Sequence, residues 1–186
     1  HDSPDDCLIC VVGKQFVDQT TACAICIAGK YQNQNDQAPA VCSNCADGKY
    51  LVDAATAAIE HDSPDDCLIC VVGTQFVDKI TLCSICAAGK YQNLNTQAPA
   101  LCSSCPTGKY LLDTATDAAL HDALLDCSFC LVGTEFVDQT TACEICAAGK
   151  YQQSNTQAST GTAQACSNCP TGKYLLDTAT DAALHD

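Results

Sequence analysis

The pattern C-x2-C-x2-G-x(1,2)-[FY] occurs nine times in this chain of 186 residues and includes all 18 cysteines. No other feature restricts the fold as strongly. A unit of about 20 residues cannot bury enough apolar surface to offset the conformational entropy that it loses on folding. Each unit therefore needs covalent or metal cross-links and contacts with neighbouring units. The pattern predicts a repeat cross-linked through its cysteines rather than one thick hydrophobic core.

The nine units are grouped into larger copies. Residues 1–60 align with residues 61–120 without a gap, and 43 of these 60 positions are identical. Residues 121–184 form a third copy, which is four residues longer in the stretch from Ser159 to Gln164. Residues 185–186 repeat the His-Asp dipeptide that opens every copy. We therefore predict three cysteine-rich repeats followed by the start of a next one.

Local signals predict the structure of each unit. The glycine of the pattern is expected to adopt a positive φ in a tight turn. Runs such as Gln15 to Val17 and Tyr110 to Leu112 indicate two-stranded β-ribbons. The Ala- and Leu-rich segment from Thr114 to Leu125 is expected to form a short helix capped by Asp113. In the first copy the equivalent helix should end before Ser63-Pro64.

Together these signals predict a small disulfide-rich repeat. We expect an elongated, solenoid-like rod of short β-ribbons and turns, with short helical inserts and little regular secondary structure. The aromatic residue after each glycine is expected to lie over a disulfide or over the turn of the next unit. These aromatic residues are Phe16, Tyr31, Tyr50, Phe76, Tyr91, Tyr110, Phe136, Tyr151 and Tyr174.

The cysteines could form disulfides or bind metal. The spacing of Cys7, Cys10, Cys23 and Cys26 also fits a four-cysteine zinc site. However, nine CxxC pairs cannot be divided into four-ligand sites without a remainder, and the spacings between pairs cycle through 12, 15 and 21 residues. Disulfides are therefore the favoured interpretation of the cysteines. Binding of zinc or another soft metal, and free redox-active thiols, are the alternatives. Disulfides in turn predict an extracellular or cell-surface location.

The simplest disulfide scheme connects neighbouring units. Bonds within CxxC are strained, so the second cysteine of each unit is expected to bond to the first cysteine of the next. The eight bonds would be Cys10–Cys23, Cys26–Cys42, Cys45–Cys67, Cys70–Cys83, Cys86–Cys102, Cys105–Cys127, Cys130–Cys143 and Cys146–Cys166. The two remaining cysteines, Cys7 and Cys169, are expected to form inter-copy disulfides, either within one longer chain or between protomers.

Charge excludes some classes of partner. The chain has 22 acidic residues against 8 basic ones, and its formal net charge is −14. A protein that binds nucleic acid needs a basic patch to replace phosphate counterions, so we expect no nucleic-acid partner. No apolar run approaches the ~20 residues that span a bilayer, so no membrane insertion is expected in this segment. Since the chain begins at His1 without Met and shows no signal peptide, we expect it to be a processed or excerpted piece.

The four His-Asp dipeptides are the strongest candidates for chemistry. A histidine beside a carboxylate can serve as a metal ligand or a catalytic base. These histidines recur once per copy at the repeat junction, however, which favours a solvated turn or a junction hydrogen bond. We accordingly expect no catalytic residue, no cofactor and no bound metal, and we expect that the chain is not an enzyme.

Two other surface features are candidate sites. The acidic segments Asp2 to Asp6 and Asp62 to Asp66 could bind Ca²⁺ through carboxylate oxygens, but they lack the spacing of an EF-hand loop, and a solvated charged face is favoured. The chain contains no N-x-[ST] sequon. Candidate O-glycan sites occur at Thr20-Thr21, Thr140-Thr141 and Ser159 to Thr162, and no local rule selects among them.

The segments CSNCADGKY, from Cys42 to Tyr50, and CSSCPTGKY, from Cys102, resemble the cysteine-rich repeats of ephrin-receptor-like and tumour-necrosis-factor-receptor-like ectodomains. Similar tandem arrays are common in large surface proteins of protists and algae. The resemblance implies an extracellular scaffold and, as in those receptors, cysteines that bond forward to the next CxxC. This chain differs from them in its near-identical 60-residue copies and its helical insert.

Three functions remain after this reading. The leading hypothesis is a structural repeat segment of an extracellular fibre or cell-surface appendage, whose partners are further copies of itself arranged head to tail. Near-identity of the copies favours it, because identical modules do identical work. The second hypothesis is a ligand-binding or adhesive ectodomain of a surface receptor, which a patch of residues that differ between copies would favour. The third is a cysteine-rich metal-binding protein, which metal analysis would reveal.

Overall fold

A computed structural model of the chain describes residues 3, 7–36, 38–153, 163–176 and 179–185. The chain divides into two compact units. The first comprises His1–Val71, Gln75–Ser84 and Leu94–Ala100, and the second comprises Val72–Thr74, Ile85–Asn93 and Leu101–Asp186.

The regular structure consists of very short antiparallel hairpins. In the described part of the chain, sixteen two-residue strands pair in sequence order, β1 with β2 through β15 with β16, to form eight hairpins. The strands are β1 Lys14–Gln15, β2 Ala24–Ile25, β3 Lys30–Tyr31, β4 Ser43–Asn44, β5 Lys49–Tyr50, β6 Leu68–Ile69, β7 Thr74–Gln75, β8 Ser84–Ile85, β9 Lys90–Tyr91, β10 Ser103–Ser104, β11 Lys109–Tyr110, β12 Ser128–Phe129, β13 Thr134–Glu135, β14 Glu144–Ile145, β15 Lys150–Tyr151 and β16 Ser167–Asn168. The predicted ribbons are confirmed, although the strands begin one residue earlier than the runs at Gln15 and Tyr110.

The CxxC spacing explains how each hairpin joins two neighbours. The second strand of a hairpin consists of the two residues between the cysteines, as in Cys23 and Cys26 around β2. Side chains alternate between the faces of a strand, so cysteines three positions apart point to opposite sides. One sulfur can therefore bond backward, to Cys10, while the other bonds forward, to Cys42.

The glycine of the pattern forms the turn that precedes each first strand. All nine of these glycines have φ between 72° and 89°, as predicted. In the first hairpin Lys14 N donates to Val11 O, at 3.2 Å, and this bond closes the turn. Gly13 also donates its N–H to Gln32 O of the next hairpin, at 2.7 Å. The turn thus serves both to start a strand and to attach it to its neighbour.

Six of the turns, those at Gly13, Gly29, Gly48, Gly73, Gly89 and Gly133, also contact a loop that lies two hairpin positions further along the chain. A Cβ added to Gly13 would lie 2.0 Å from Ala58 O, and one added to Gly73 would lie 2.0 Å from Ala118 O. Backbone approaches this close exclude every side chain. Glycine is therefore required at these two positions by contact as well as by φ.

The predicted helix between Thr114 and Leu125 is wrong. The described residues contain no α-helix, and this segment forms two single-turn 3-10 helices instead. His121, between them, has φ −132° and a fully buried side chain, so the chain leaves the helical conformation to bring this residue inside. In the part of the chain that the structure describes, the five 3-10 helices are Ala58–His61, Pro64–Asp66, Ala118–Leu120, Leu124–Asp126 and Ala182–Leu184.

The predicted helix cap is also corrected. Asp117, rather than Asp113, caps the first of the two turns, since its carboxylate accepts a hydrogen bond from Ala119 N at 2.9 Å. In the first copy the equivalent turn ends at His61, before Ser63-Pro64 as expected.

Cysteine is the main component of the interior. Among the described residues, eleven of the fifteen buried apolar side chains are cysteines. In the first unit Tyr31 packs against a cluster of Cys45, Leu51 and Cys67. In the second unit an equivalent cluster of Cys105, Leu111 and Cys127 packs against Tyr91. The core thus includes small clusters, one at the Cys45–Cys67 disulfide and one at the Cys105–Cys127 disulfide.

Candidate functional site

The disulfides form a continuous ladder along the chain. All eight join the second cysteine of one CxxC to the first cysteine of the next, as the simplest scheme predicted, with Cα–Cα distances of 5.6–5.8 Å. Cys7 and Cys169 are free thiols, so their inter-copy bonds stay a prediction. Among the described residues, no group of three or more His, Cys, Asp or Glu could hold a metal ion.

The histidine at each repeat junction is a second recurring feature. His61 is fully buried. Its Nδ1 lies 2.8 Å from the carbonyl oxygen of Lys30, and its Nε2 lies 2.9 Å from Oδ2 of Asp53. The predicted junction hydrogen bond is confirmed, whereas the predicted solvated turn is wrong, because the ring is inside the protein.

The same arrangement occurs in the second unit. His121 is fully buried, its Nδ1 lies 2.7 Å from the carbonyl oxygen of Lys90, and its Nε2 lies 2.8 Å from Oδ2 of Asp113. His185 is buried as well, with Nδ1 2.8 Å from the carbonyl oxygen of Lys150. His1 lies outside the described residues. A fully buried ring with oxygens against both nitrogens, as at His61 and His121, cannot reach a substrate.

The carboxylate that faces His61 is held by a local turn. Asp53 Oδ1 accepts a hydrogen bond from the Thr56 hydroxyl at 2.7 Å, and Oδ2 accepts one from Thr56 N at 3.1 Å. The turn requires Ala55 to adopt φ 59°, a conformation that residues with a Cβ rarely adopt. Ala115 and Ala179, at the equivalent positions, have φ 62° and 61°.

These hydrogen bonds stabilise the charged form of the carboxyl group. The pKa of Asp53 is lowered to about 2, first by the Thr56 hydroxyl and then by His61. The pKa of Asp113 is also lowered, by the hydroxyl and the backbone N–H of Thr116 and then by His121. The junctions at His61 and His121 therefore each contain an ionised carboxylate against a buried imidazole ring.

Sequence reasoning missed the contact of these aspartates with the junction histidines. A signal was present, since Asp53, Asp113 and Asp177 each precede the junction histidine by eight residues. Asp177 itself lies outside the described residues.

The predicted packing aromatics divide into three groups. Tyr31 and Tyr91 pack against disulfide-containing clusters as expected. Phe16 is 43% exposed and Tyr174 is 80% exposed, so the packing predicted for these two is wrong. For Tyr174 the physical reason is the lack of strand pairing: its equivalent Tyr50 pairs with Leu68 across a hairpin, whereas Tyr174 belongs to no strand of the described structure. The remaining five, Tyr50, Phe76, Tyr110, Phe136 and Tyr151, are half-buried.

The exposed loop of the first hairpin contains two of the candidate O-glycan residues. The hydroxyls of Thr20 and Thr21 both donate to Asp18, each at 2.8 Å. These bonds, that of Thr21 first, lower the pKa of Asp18 to about 2. Thr140 and Thr141 make the same contacts with Asp138. The candidate segment from Ser159 to Thr162 lies outside the described residues.

The candidate Ca²⁺ segment from Asp62 to Asp66 has a structural role. Ser63 Oγ accepts a hydrogen bond from Asp65 N at 3.1 Å, and Asp66 Oδ2 accepts one from Ser63 N at 2.8 Å. This reciprocal pair is a capping box. Of the other acidic segment, Asp2 and residues 4–6 lie outside the described residues.

Neither a family model nor a curated protein matches this sequence. Within the part of the chain that the structure describes, no helix is long and apolar enough to span a bilayer. Tandem hairpins joined by many disulfides fit an extracellular structural or surface module.

Proposed function

We propose that the chain is a structural repeat segment of an extracellular fibre or cell-surface appendage, that it has no catalytic role, and that its partners are further copies of itself. The observation that supports this most strongly is the repetition of one joint. Gln32 N donates to His61 O at 2.8 Å, and Gln92 N donates to His121 O at 2.9 Å. Each copy is attached by the same atoms, which is what a uniform array requires.

The ladder gives this array its mechanical role. A pull along the chain is transmitted through the eight bridges and the short CxxC links between them, so the loops between bridged cysteines bear none of it. The turns and junctions then need only to hold neighbouring hairpins in register. Such a design resists extension, which is a useful property in a fibre and irrelevant to a soluble enzyme.

Charge supports the same function. A net charge of −14 makes neighbouring chains repel one another and keeps them soluble at low ionic strength. The resemblance to receptor-like cysteine-rich repeats is compatible with a surface location, but receptor modules usually diverge because each has its own ligand surface. Near-identical copies with identical joints therefore favour a fibre over a ligand-binding ectodomain.

Immunogold electron microscopy of the cells that produce this protein tests the proposal. Antibodies raised against the folded, oxidised 186-residue chain should label extracellular filaments in lines. Antibody that has first been absorbed with the same chain provides the control. Labelling confined to scattered points on the plasma membrane would contradict the fibre and favour the receptor. Stoichiometric zinc or copper in the purified chain would favour the metal-binding alternative.

A further inference from the structure

An apolar groove lies at the first hairpin, in the first unit. Its volume is about 330 Å³, and its lining includes Leu8, Ile9, Phe16 and Pro39. Leu8 is 95% exposed and forms no strand, although the sequence around it is that of the second copy.

The same chain shows what covers this surface elsewhere. Leu68 and Ile69, the equivalents of Leu8 and Ile9, form strand β6 and pair with Tyr50 and Lys49 of β5. Leu68 is only 52% exposed in consequence. A two-residue strand with the sequence Lys-Tyr is therefore the natural occupant of the groove.

The residue before that strand fits the groove as well. A Cβ added to Gly48 would lie 2.4 Å from Pro99 Cα, so the bare glycine backbone rests on this proline. Pro99 is the equivalent of Pro39, which lines the groove. The complete covering element of the internal joint is thus Gly48-Lys49-Tyr50.

A matching element is exposed in the second unit. Gly172, Lys173 and Tyr174 are the equivalents of Gly48, Lys49 and Tyr50, and all three are exposed. A Cβ at Gly172 would meet no atom of the described residues within 4 Å. The turn is nevertheless formed, since Lys173 N donates to Pro170 O at 2.9 Å, as Lys49 N does to Ala46 O.

A second contact of the joint is equally open. Gly29 lies against Lys79 and Ile80, and a Cβ there would be 3.0 Å from Ile80 Cγ2. A Cβ added to its equivalent in the third copy, Gly149, would meet nothing within 4 Å in the described part of the chain. The turn at Gln19, equivalent to Lys79, is the element that fits this position.

We propose that the groove of Leu8, Ile9, Phe16 and Pro39 binds the segment Gly172–Tyr174 of a second copy of this chain by strand pairing. The inference rests on the proposed function and names the contact by which its copies associate. Such a contact is heterologous, because different surfaces of the two copies meet. It extends the existing series of hairpins without a new type of interface.

The free thiols fit the same joint. In the internal joint the cysteines next to the paired strands, Cys45 and Cys67, are bonded to each other. Their equivalents are Cys169 and Cys7. With a small disulfide such as oxidised glutathione as oxidant, the Cys169 thiolate displaces one glutathione and forms a mixed disulfide. The Cys7 thiolate of the second copy then displaces the other glutathione, which completes the bond and releases two reduced glutathiones in all.

Two single-thiol variants test the docking. Cys7→Ser retains the thiol of Cys169, and Cys169→Ser retains that of Cys7. Mixed in a glutathione redox buffer, they should form a heterodimer at least about tenfold faster than either variant forms a homodimer, because docking raises the effective concentration of the two thiols. Non-reducing electrophoresis of isotope-labelled and unlabelled copies measures the three rates. Equal rates, or no dimer at all, would overturn the proposal.

A further substitution separates docking from thiol reactivity. Gly172→Ala, made in the Cys7→Ser chain, meets none of the described residues of its own molecule but would collide with Pro39 of the partner copy. The heterodimer rate should therefore fall to the homodimer rate. Thr171→Ala, at the exposed adjacent residue, is the matched control and should leave the rate unchanged. The reaction of Cys169 with a small aromatic disulfide should be the same in both variants. An undiminished rate for Gly172→Ala would refute the strand pairing.

These outcomes are independent of the proposed function. A chain that labels filaments in cells but fails to form the heterodimer would retain the fibre role and lose this contact. A chain that forms the heterodimer but labels only membrane points would retain the contact and lose the fibre.

Discussion

The disulfide ladder determines how far the chain can be stretched. Between Cys10 and Cys166 the shortest covalent path crosses eight bridges of 5.6–5.8 Å and the seven CxxC links between them. At about 3.5 Å per residue in an extended link, this path measures about 120 Å. The path through every residue between the same cysteines measures about 550 Å. Reduction should therefore release about 430 Å of hidden length.

Optical tweezers can measure this release. The oxidised chain is held by its two ends and pulled first without and then with a phosphine reductant. Without reductant, unfolding of the hairpins should add no length beyond the bridged path. With reductant, each cleaved bridge should add one step, between about 40 and 70 Å, because the bridges close loops of 13 to 22 residues.

The step sizes make this prediction easy to refute. If the bonds were instead formed within each CxxC, the oxidised chain would already extend almost fully, and each cleavage would add less than about 10 Å. Steps of that size, or a gain of several hundred ångströms before reduction, would show that the ladder is wrong. A chain in which all cysteines are replaced by serine provides the fully extended reference.

Three further predictions concern stability. Gly73→Ala should lower the free energy of unfolding by at least about 3 kcal/mol, because it combines a positive φ with a collision against Ala118. Gly149→Ala, which has a similar φ but no such collision with a described residue, should lower it by about 1–2 kcal/mol in the same denaturant titration. Equal losses would refute the close-approach argument. Tyr110→Ala should destabilise the hairpin of β11 and β12 by about 2 kcal/mol, measured by hydrogen exchange, whereas Tyr174→Ala, at an exposed ring, should cost under about 0.5 kcal/mol. An equal loss for the two variants would show that strand pairing is not what buries the ring. The pKa of Asp53 is about 2 in the folded chain and 3.8 ordinarily, so the stability that its ionised form contributes is complete above about pH 4 and is lost as the pH falls towards 2. The unfolding midpoint of the wild type should therefore fall more steeply over this range than that of Asp53→Asn. Parallel curves would contradict the lowered pKa of Asp53.

Features with a fixed spacing could be predicted from the sequence. The forward-linked disulfides follow from the strain of a bond within CxxC, and the positive φ of Gly13 and its equivalents follows from the turn that the pattern requires. Both depend on covalent geometry within about three residues, where few conformations are open to the chain. Local rules are sufficient at this range.

Features that depend on the neighbouring hairpin could not be predicted. The His61–Asp53 contact needs Ala55 at a positive φ, and no local rule assigns that conformation to alanine. The segment before His121 has the composition of a helix, but burial of the ring ends the helix after one turn. The exposure of Tyr174 likewise depends on whether a pairing strand is present rather than on the local sequence.

The contact between Gly13 and Ala58 has a consequence for how such a chain can change in length. Disulfides alone would let any single CxxC unit be inserted or lost, since every unit offers one sulfur backward and one forward. The packing of glycine turns such as Gly13 and Gly73 on the second hairpin beyond them forbids this, because loss of one unit would place a different loop against the bare backbone. Only a whole period of 60 residues can be added or removed with every contact kept. Recombination between repeated coding segments changes the number of such periods in a single event. Selection can therefore act on the number of 60-residue copies, and through that number on the length of the chain.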